Sequence, residues 1–194
     1  MESHASDADC LARSLTEPRA FEALFDRHFA AVHRYLHRRA GREIADDLAA
    51  ETFAVAFERR ASCRASESIL PWLYGIATNL LRRRRRVERR QLTAYARTGS
   101  NDWIVYADDT AVPVDESTNG AALARALAVM KPRERDALLL YALAELSYDE
   151  IATALEVPVG TVATWLHRAR EAAQRELATA DTVSPATTGA NANG

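Results

Sequence analysis

The sequence predicts an all-α fold: two small helical domains joined by an acidic linker. Three observations carry this reading. No stretch alternates apolar and polar residues between turn dipeptides, as a half-buried strand requires. Apolar residues instead recur at three- and four-residue spacing in two separate blocks. Between the blocks, residues 91–120 lose that periodicity and gather Gly99, Asp102, Asp108, Asp109, Pro113, Asp115 and Glu116. A length of 194 residues fits one large domain or two small ones. Only 7 Gly and 6 Pro exclude collagen-like and low-complexity classes.

In the first block, residues 1–90, a helix is expected after Thr16, an N-cap candidate, with Pro18 in its first turn. Phe21, Leu24, Phe25, Phe29, Val32, Tyr35 and Leu36 share one face, and Gly41 stops the helix. A second helix groups Ile44, Leu48, Phe53, Ala56 and Phe57, with Asp46, Asp47, Glu51 and Glu58 elsewhere on its surface. A polar loop covers residues 61–67. Ser68 can cap a third helix that tolerates Pro71 in its first turn and buries Trp72, Leu73, Ile76, Ala77 and Leu80. In the second block, residues 121–178, Leu123, Leu127 and Met130 mark one helix. Pro132 opens the next, with Leu138, Leu139, Tyr141 and Leu143 apolar. Ser147 and Glu150 have capping-box spacing, so a further helix starts there and turns Ile151, Ala152 and Leu155 inward. Glu156, Val157 and Pro158 break it, and a last helix from Val159 buries Val162, Leu166 and Ala169. Two helices across a tight turn, the second ending in a basic stripe, read as a helix-turn-helix. The segment 179–194, rich in Ala, Thr, Ser, Gly and Asn, is expected to be disordered.

A net charge of −2 hides an asymmetry: residues 61–90 carry eight arginines against two acids, and residues 91–120 one arginine against five acids. The basic block points to a polyanion partner. Arginine fills seven of the nine positions 82–90, a density that favours phosphate contacts over a merely solvated helix end. Beside it, Ser62, Arg64 and Ser66 can hold an unstacked base by polar contacts, or simply form a connection. The second helix of the helix-turn-helix would enter the major groove with its first residues. Gly160, Thr161, Ala163, Thr164, Trp165, His167 and Arg168 are its candidate exposed positions. Thr161 and Thr164 can reach phosphates or bases, Ala163 offers only an apolar contact, and Arg168 and Arg170 suit phosphates. A helical hairpin packed on another protein is the alternative. Asp46, Asp47 and Glu51 cluster without a histidine at ligand spacing, and the chain has no Gly-rich phosphate loop or nucleophile elbow. They read as a surface for a basic partner, and neither metal nor cofactor is expected. Cys10 and Cys63 cannot build a disulfide framework and fit a reducing cytoplasm. His28, His33 and His37 receive no role. The acidic start is no signal peptide, and the uncharged run 68–81 is too short and polar to span a bilayer.

Two stretches, IADDLAAETFAVAFERRASCRASESILPWLYGIATNLLRRRRR at 44–86 and MKPRERDALLLYALAELSYDEIATALEVPVGTVATWLHRAR at 130–170, resemble the bacterial extracytoplasmic-function sigma factors. Their order and the acidic linker between them fit that family. The resemblance implies a region-2-like domain over 1–90, a linker over 91–120 and a region-4-like domain over 121–178. It implies a factor that binds core RNA polymerase, recognises the −10 and −35 promoter elements and assists melting. Asp47, Leu48, Glu51 and Phe53 would dock on the clamp helices of the β′ subunit, with the β subunit as a further contact. Ser62, Arg64, Ser66, Asn79, Arg82 and Arg83 would read the melted −10 element. Thr161, Ala163, Thr164, Trp165, His167, Arg168 and Arg170 would read the −35 element. The resemblance also implies an anti-sigma partner and a cytoplasmic protein, held at a membrane only through such a partner. Four positions depart from the pattern. Ala50 stands where Gln is common and Glu156 where Gly is usual, while Ala163 and Trp165 replace a Lys and an Arg of the recognition helix. A free-standing helix-turn-helix regulator and a carboxylate-metal nuclease are the rival readings.

Overall fold

The computed structural model describes residues 5–64, 68–97 and 118–183. Helix α1 (Asp7–Ser14) opens with a capping box, in which Ser6 Oγ accepts from the Asp9 N–H at 3.1 Å and Asp9 Oδ2 accepts from the Ser6 N–H at 3.2 Å. Helix α1 lies outside the helices that the apolar spacing predicts. Thr16 starts no helix: its hydroxyl donates to the Arg13 carbonyl at 3.2 Å, finishing α1. A 3-10 turn over Pro18–Phe21 then leads into α2 (Glu22–Ala40). Gly41 ends α2 as expected, at φ +80°, a left-handed backbone that a side chain would strain. Helix α3 (Arg42–Arg59) follows at once and closes in a 3-10 turn at Arg60–Ser62. Helix α4 (Leu70–Arg97) begins where Ser68 Oγ accepts the Leu70 N–H at 3.1 Å, as the sequence anticipated.

The helix runs on to Arg97, so residues 91–97 of the expected linker are helical; at the other end α5 (Thr118–Val129) begins before residue 121. The remainder of the linker, residues 98–117, lies outside the described residues, as do Ser66 and the tail from residue 184. Helices α6 (Pro132–Leu143), α7 (Tyr148–Leu155) and α8 (Val159–Val183) complete the chain.

Helices α2, α3 and α4 bury Leu24, Val32, Tyr35, Leu36, Ala45, Ala49, Leu73 and Ala77 between them. That core does not end with the first block. Ala137, Leu140, Ile151, Ala154, Leu155, Val162 and Leu166 from α6, α7 and α8 join the same apolar cluster. A smaller cluster of Ala126, Leu127, Met130, Leu139, Ala169 and Ala172 holds α5 against α6 and α8. The two helical units therefore pack directly on each other. The close approach is made at Gly75 of α4, where an added methyl would fall within 3.1 Å of the Ala154 carbonyl carbon of α7. Helix α6 departs from its expected pattern for the same reason. It buries Glu134, Arg135 and Asp136, with Asp136 turned to α2 and α4 and Glu134 to α8, while Tyr141, counted among its apolar positions, is exposed.

Candidate nucleic-acid interface

The helix-turn-helix forms as its sequence dictates. Ser147 Oγ accepts from the Glu150 N–H at 3.3 Å, and Glu150 Oε2 accepts from the Ser147 N–H at 2.8 Å. Helix α7 then stops at Glu156, held left-handed at φ 55°. That conformation costs a non-glycine residue roughly 1 kcal/mol. It turns the chain so that α8 presents Ala163, Thr164, His167 and Arg168 outward, with Thr161 half-buried. Trp165 is a partial correction. It packs against the core, with the Arg133 guanidinium 6.0 Å from its ring centre, so only part of the indole faces out. The polar groups of this face are already engaged with neighbours. Thr164 Oγ1 donates to the Gly160 carbonyl at 2.9 Å, His167 lies 3.4 Å from Glu171, and Arg168 lies 3.7 Å from Glu134. Arg170 donates to the Tyr148 hydroxyl at 3.0 Å and covers the Tyr141 ring at 5.2 Å. The Tyr148 hydrogen bond is the main force raising its pKa above the ordinary arginine value.

On α3, the four expected docking residues divide. Asp47 and Glu51 are exposed, whereas Leu48 and Phe53 are 2% and 4% exposed and belong to the core. The 3.6-residue period explains the correction, because Leu48 and Phe53 sit on the stripe facing α2 and α4. Asp47 pairs with Arg84 of α4 at 3.4 Å, and Asp46 with His33 of α2 at 2.6 Å. Between α3 and α4 runs an open groove of about 370 Å³, lined by Leu48, Glu51, Leu80, Arg83, Arg84 and Val87. In the following loop, Ser62 and Arg64 are exposed, and Ser62 Oγ donates to the Arg59 carbonyl at 2.7 Å.

Asn79 and Arg82 have a setting no motif foretold. Arg82 Nη1 donates to Asn79 Oδ1 at 3.2 Å. Its Nε and Nη2 donate to Asp136 Oδ2 of α6 at 3.1 and 2.5 Å. The other Asp136 oxygen accepts from Arg39 Nη2 at 2.8 Å, and Arg39 Nη1 donates to the Tyr35 hydroxyl at 2.8 Å. Burial works against the Arg39 charge, but Tyr35 and Asp136 outweigh it and raise its pKa. Arg39 Nε is the one buried side-chain polar atom without a hydrogen-bond partner among the described residues. Asp136 precedes Leu139 and Leu140 by three and four residues, so an acid on the apolar stripe was the available signal. Among the candidate residues of α4, Asn79 and Arg83 are exposed, and Asn79 bonds Arg82 of its own helix.

A second buried ionic group anchors α1. Asp7 accepts from Arg27, from His28 Nε2 at 2.7 Å and from the Ile69 N–H at 3.1 Å. Burial pushes the Asp7 carboxyl up, but these three donors together hold it below the usual carboxylate range.

Comparison with known proteins gives this geometry a family. Residues 24–91 match the family model described as Sigma-70 region 2, and residues 120–172 match Sigma-70, region 4. The chain is 33% identical over 153 residues to the RNA polymerase sigma factor YlaC of Bacillus subtilis, covering 78% of this chain and 88% of that protein. The chain belongs to the extracytoplasmic-function sigma factors. It is 29% identical to the ECF RNA polymerase sigma factor SigW of Bacillus subtilis, covering 81% of this chain and 89% of that one. Among solved structures, the fold resembles the sigma factor RpoE of Bartonella quintana, in complex with the anti-sigma factor NepR, with a TM-score of 0.58 at 19% identity. That match covers 82% of this chain and 98% of the other. CnrH, in complex with the cytosolic domain of CnrY, gives the same TM-score of 0.58 at 22% identity, covering 90% of this chain and 97% of that one. The all-α architecture of two helical units expected from the sequence is thus the architecture of the family. As an ECF sigma factor the chain is a promoter-recognition subunit of transcription initiation, and sigma factors are not enzymes. Among the described residues no helix is long and apolar enough to cross a membrane.

Proposed function

We propose that this sigma factor docks on the β′ clamp helices of core RNA polymerase through Asp47 and Glu51, reads the −10 element with the loop at Ser62 and Arg64 and with Asn79, Arg82 and Arg83, and reads the −35 element with the start of α8. Residues 1–90 serve as the first unit and residues 121–178 as the second. The observation that carries this reading is the outward face of α8. Ala163, Thr164, His167 and Arg168 stand exposed on a helix aimed by a capped α7 and a left-handed turn. A recognition helix needs that geometry to bring its first residues to base edges. Leu48 and Phe53 serve docking indirectly, by holding α3 so that Asp47 and Glu51 face out. Melting draws on capture of an unstacked base and on backbone contacts, with unstacking costing a few kcal/mol. The chain carries out no bond chemistry of its own and works in the cytoplasm. Its regulator is an anti-sigma protein, in keeping with the complexes in which its structural relatives were solved.

Co-elution with core RNA polymerase on a sizing column tests the reading. The wild type is expected to co-elute, and Asp47→Arg/Glu51→Arg, folded by circular dichroism, is expected not to. Failure of the wild type to bind core, with duplex DNA binding as a dimer instead, would overturn it in favour of an autonomous regulator.

A further inference from the structure

Helix α1 makes two contacts at opposite ends of one connection. The connection runs from the 3-10 turn at Arg60–Ser62 to the start of α4 and carries Ser62 and Arg64. At its near end, Arg60 Nε donates to the Ser14 carbonyl at 3.1 Å, and Arg60 Nη1 donates to the Phe57 carbonyl at 2.5 Å. The Ser14 carbonyl belongs to the last turn of α1, where carbonyls have no partner inside the helix. The same guanidinium lies 4.0 Å from the centre of the Phe57 ring, which meets Phe21 edge-on at 5.4 Å. At the far end, the Ile69 N–H donates to Asp7 Oδ2 at 3.1 Å, one residue before α4 begins. Asp7 is fixed in turn from α2 by Arg27 and by His28 Nε2 at 2.7 Å. Asp7, Ser14 and Ile69 are all buried. Asp7 and Ser14 stand seven residues apart on α1, about 10 Å at 1.5 Å per residue. The nine residues from Arg60 to Ile69 span up to about 30 Å when extended. One short helix thus holds both ends of a much longer piece of chain.

We propose that α1 is a positioning element of the −10 reader: by pinning Arg60 and Ile69, it presents Ser62 and Arg64 in the geometry that captures an unstacked base. This rests on the assignment of Ser62 and Arg64 to the −10 element above. The gain is first entropic. A free connection loses backbone freedom when it closes on a base, and a pinned one has lost part of that freedom already. The gain is also one of direction. Bases are told apart by hydrogen-bonding groups that must be held to within about 0.5 Å of their working geometry. Asp7 is 5% exposed and has both oxygens engaged, so it acts only through the connection. Phosphate attraction needs no such placement and carries no sequence information. Loss of the brace therefore weakens discrimination between bases more than it weakens binding as such.

The test uses the full chain on core RNA polymerase and a randomised library of single-stranded DNA of about 12 nucleotides, within the usual site sizes. Sequencing the bound fraction gives the base preferred at each position. The wild type is expected to enrich one base at least tenfold at one position or more, and Ser62→Ala/Arg64→Ala is expected to lose that enrichment. Asp7→Ala and Arg60→Met, folded by circular dichroism and still co-eluting with core, are each expected to lower it at least threefold. Arg60→Met carries the test alone if Asp7→Ala does not fold. Arg60→Lys keeps a donor for the Ser14 carbonyl and is expected to retain most of the enrichment. A smaller folded fraction, or one cation fewer, lowers the binding of all sequences alike and leaves their ratios unchanged. A merely structural role would therefore not move this readout. Amide hydrogen exchange on the free chain is the second readout and involves no DNA. Arg60→Met is expected to speed exchange in the 60–69 segment at least tenfold and to leave α8 unchanged. Unchanged enrichment in the folded variants would overturn the proposal, as would unchanged exchange. Faster exchange beside a wild type that enriches no base, or beside a Ser62→Ala/Arg64→Ala variant that enriches as the wild type does, would sink the −10 assignment. The positioning role would fall with it, and the brace would stand as a structural contact.

Discussion

The two DNA-facing surfaces differ in how the fold treats their charge. On α8, Arg168 and Arg170 pair with Glu134 and Tyr148, partners within their own unit, and Ala163, Thr164 and His167 look outward. On α4, Arg82 is held by an acid of the opposite unit. The residues of α8 find their partners at home, whereas Arg82 among exposed Ser62, Arg64, Asn79 and Arg83 is engaged by its neighbour. The difference extends to how each unit is secured. Asp7 secures the first unit with a buried ionic group, the Arg39–Asp136 pair joins the two units, and each unit has a capping box and a left-handed helix stop, at Ser6 and Gly41 and at Ser147 and Glu156. Buried charge is costly to leave unpaired, whereas caps and turns are worth about 1 kcal/mol each. Substitution of a buried charge such as Asp7 should therefore cost more than loss of a cap or a turn in either unit.

The largest expected effect is at Asp7. Asp7→Ala strands His28, Arg27 and the Ile69 N–H, and urea denaturation should register a loss of about 3 kcal/mol. The same residue sets a pH dependence. Its folded pKa lies below the unfolded one, so in that window the unfolded chain binds more protons and stability rises with pH. The contribution is complete above the ordinary carboxylate range and is lost as pH falls through the lowered folded value. Asp7→Asn should flatten this acid limb of the stability curve.

Ser147→Ala should cost the second unit about 1 kcal/mol, read as a shift of the thermal midpoint. Glu156→Gly should act in the opposite sense, stabilising by up to about 1 kcal/mol and raising Tm by about 2–4 °C, because glycine tolerates the left-handed backbone. A loss of stability in Glu156→Gly would contradict the strain assigned to that turn. The smallest effect is at the open surface. Ala163→Lys adds one phosphate contact, and the slope of log K against log salt for duplex binding should steepen by about 0.9. An unchanged slope would mean that Ala163 does not face the DNA backbone.

Much of the second unit was legible in the sequence because its determinants are local. Ser147 and Glu150 are three residues apart, and Ile151, Leu155, Val162, Leu166 and Ala169 follow the helical period to their buried positions. Glu156 was legible as unusual only through the family resemblance, which has glycine at that position. Helix α1 was not, because its stability as a docked element comes from Asp7 meeting His28 and Ile69, which lie 21 and 62 residues away. Leu48 and Phe53 were placed on a docking surface by resemblance, although their period puts them inside with Ala45, Ala49 and Ala56. The Asp136 ion pairs join residues 54 and 97 apart in sequence. A charge on the apolar stripe of α6 hinted that something polar lay opposite, and only the folded chain names Arg39 and Arg82. The shared core of the two units was hidden in the same way, because periodicity tells which face is buried and never against what.

One measurement reaches the central claim most directly: co-elution of the wild type and of Asp47→Arg/Glu51→Arg with core RNA polymerase on a sizing column. The wild type is expected to co-elute and the folded double variant is expected not to. Equal co-elution of both would contradict docking through the exposed acids of α3.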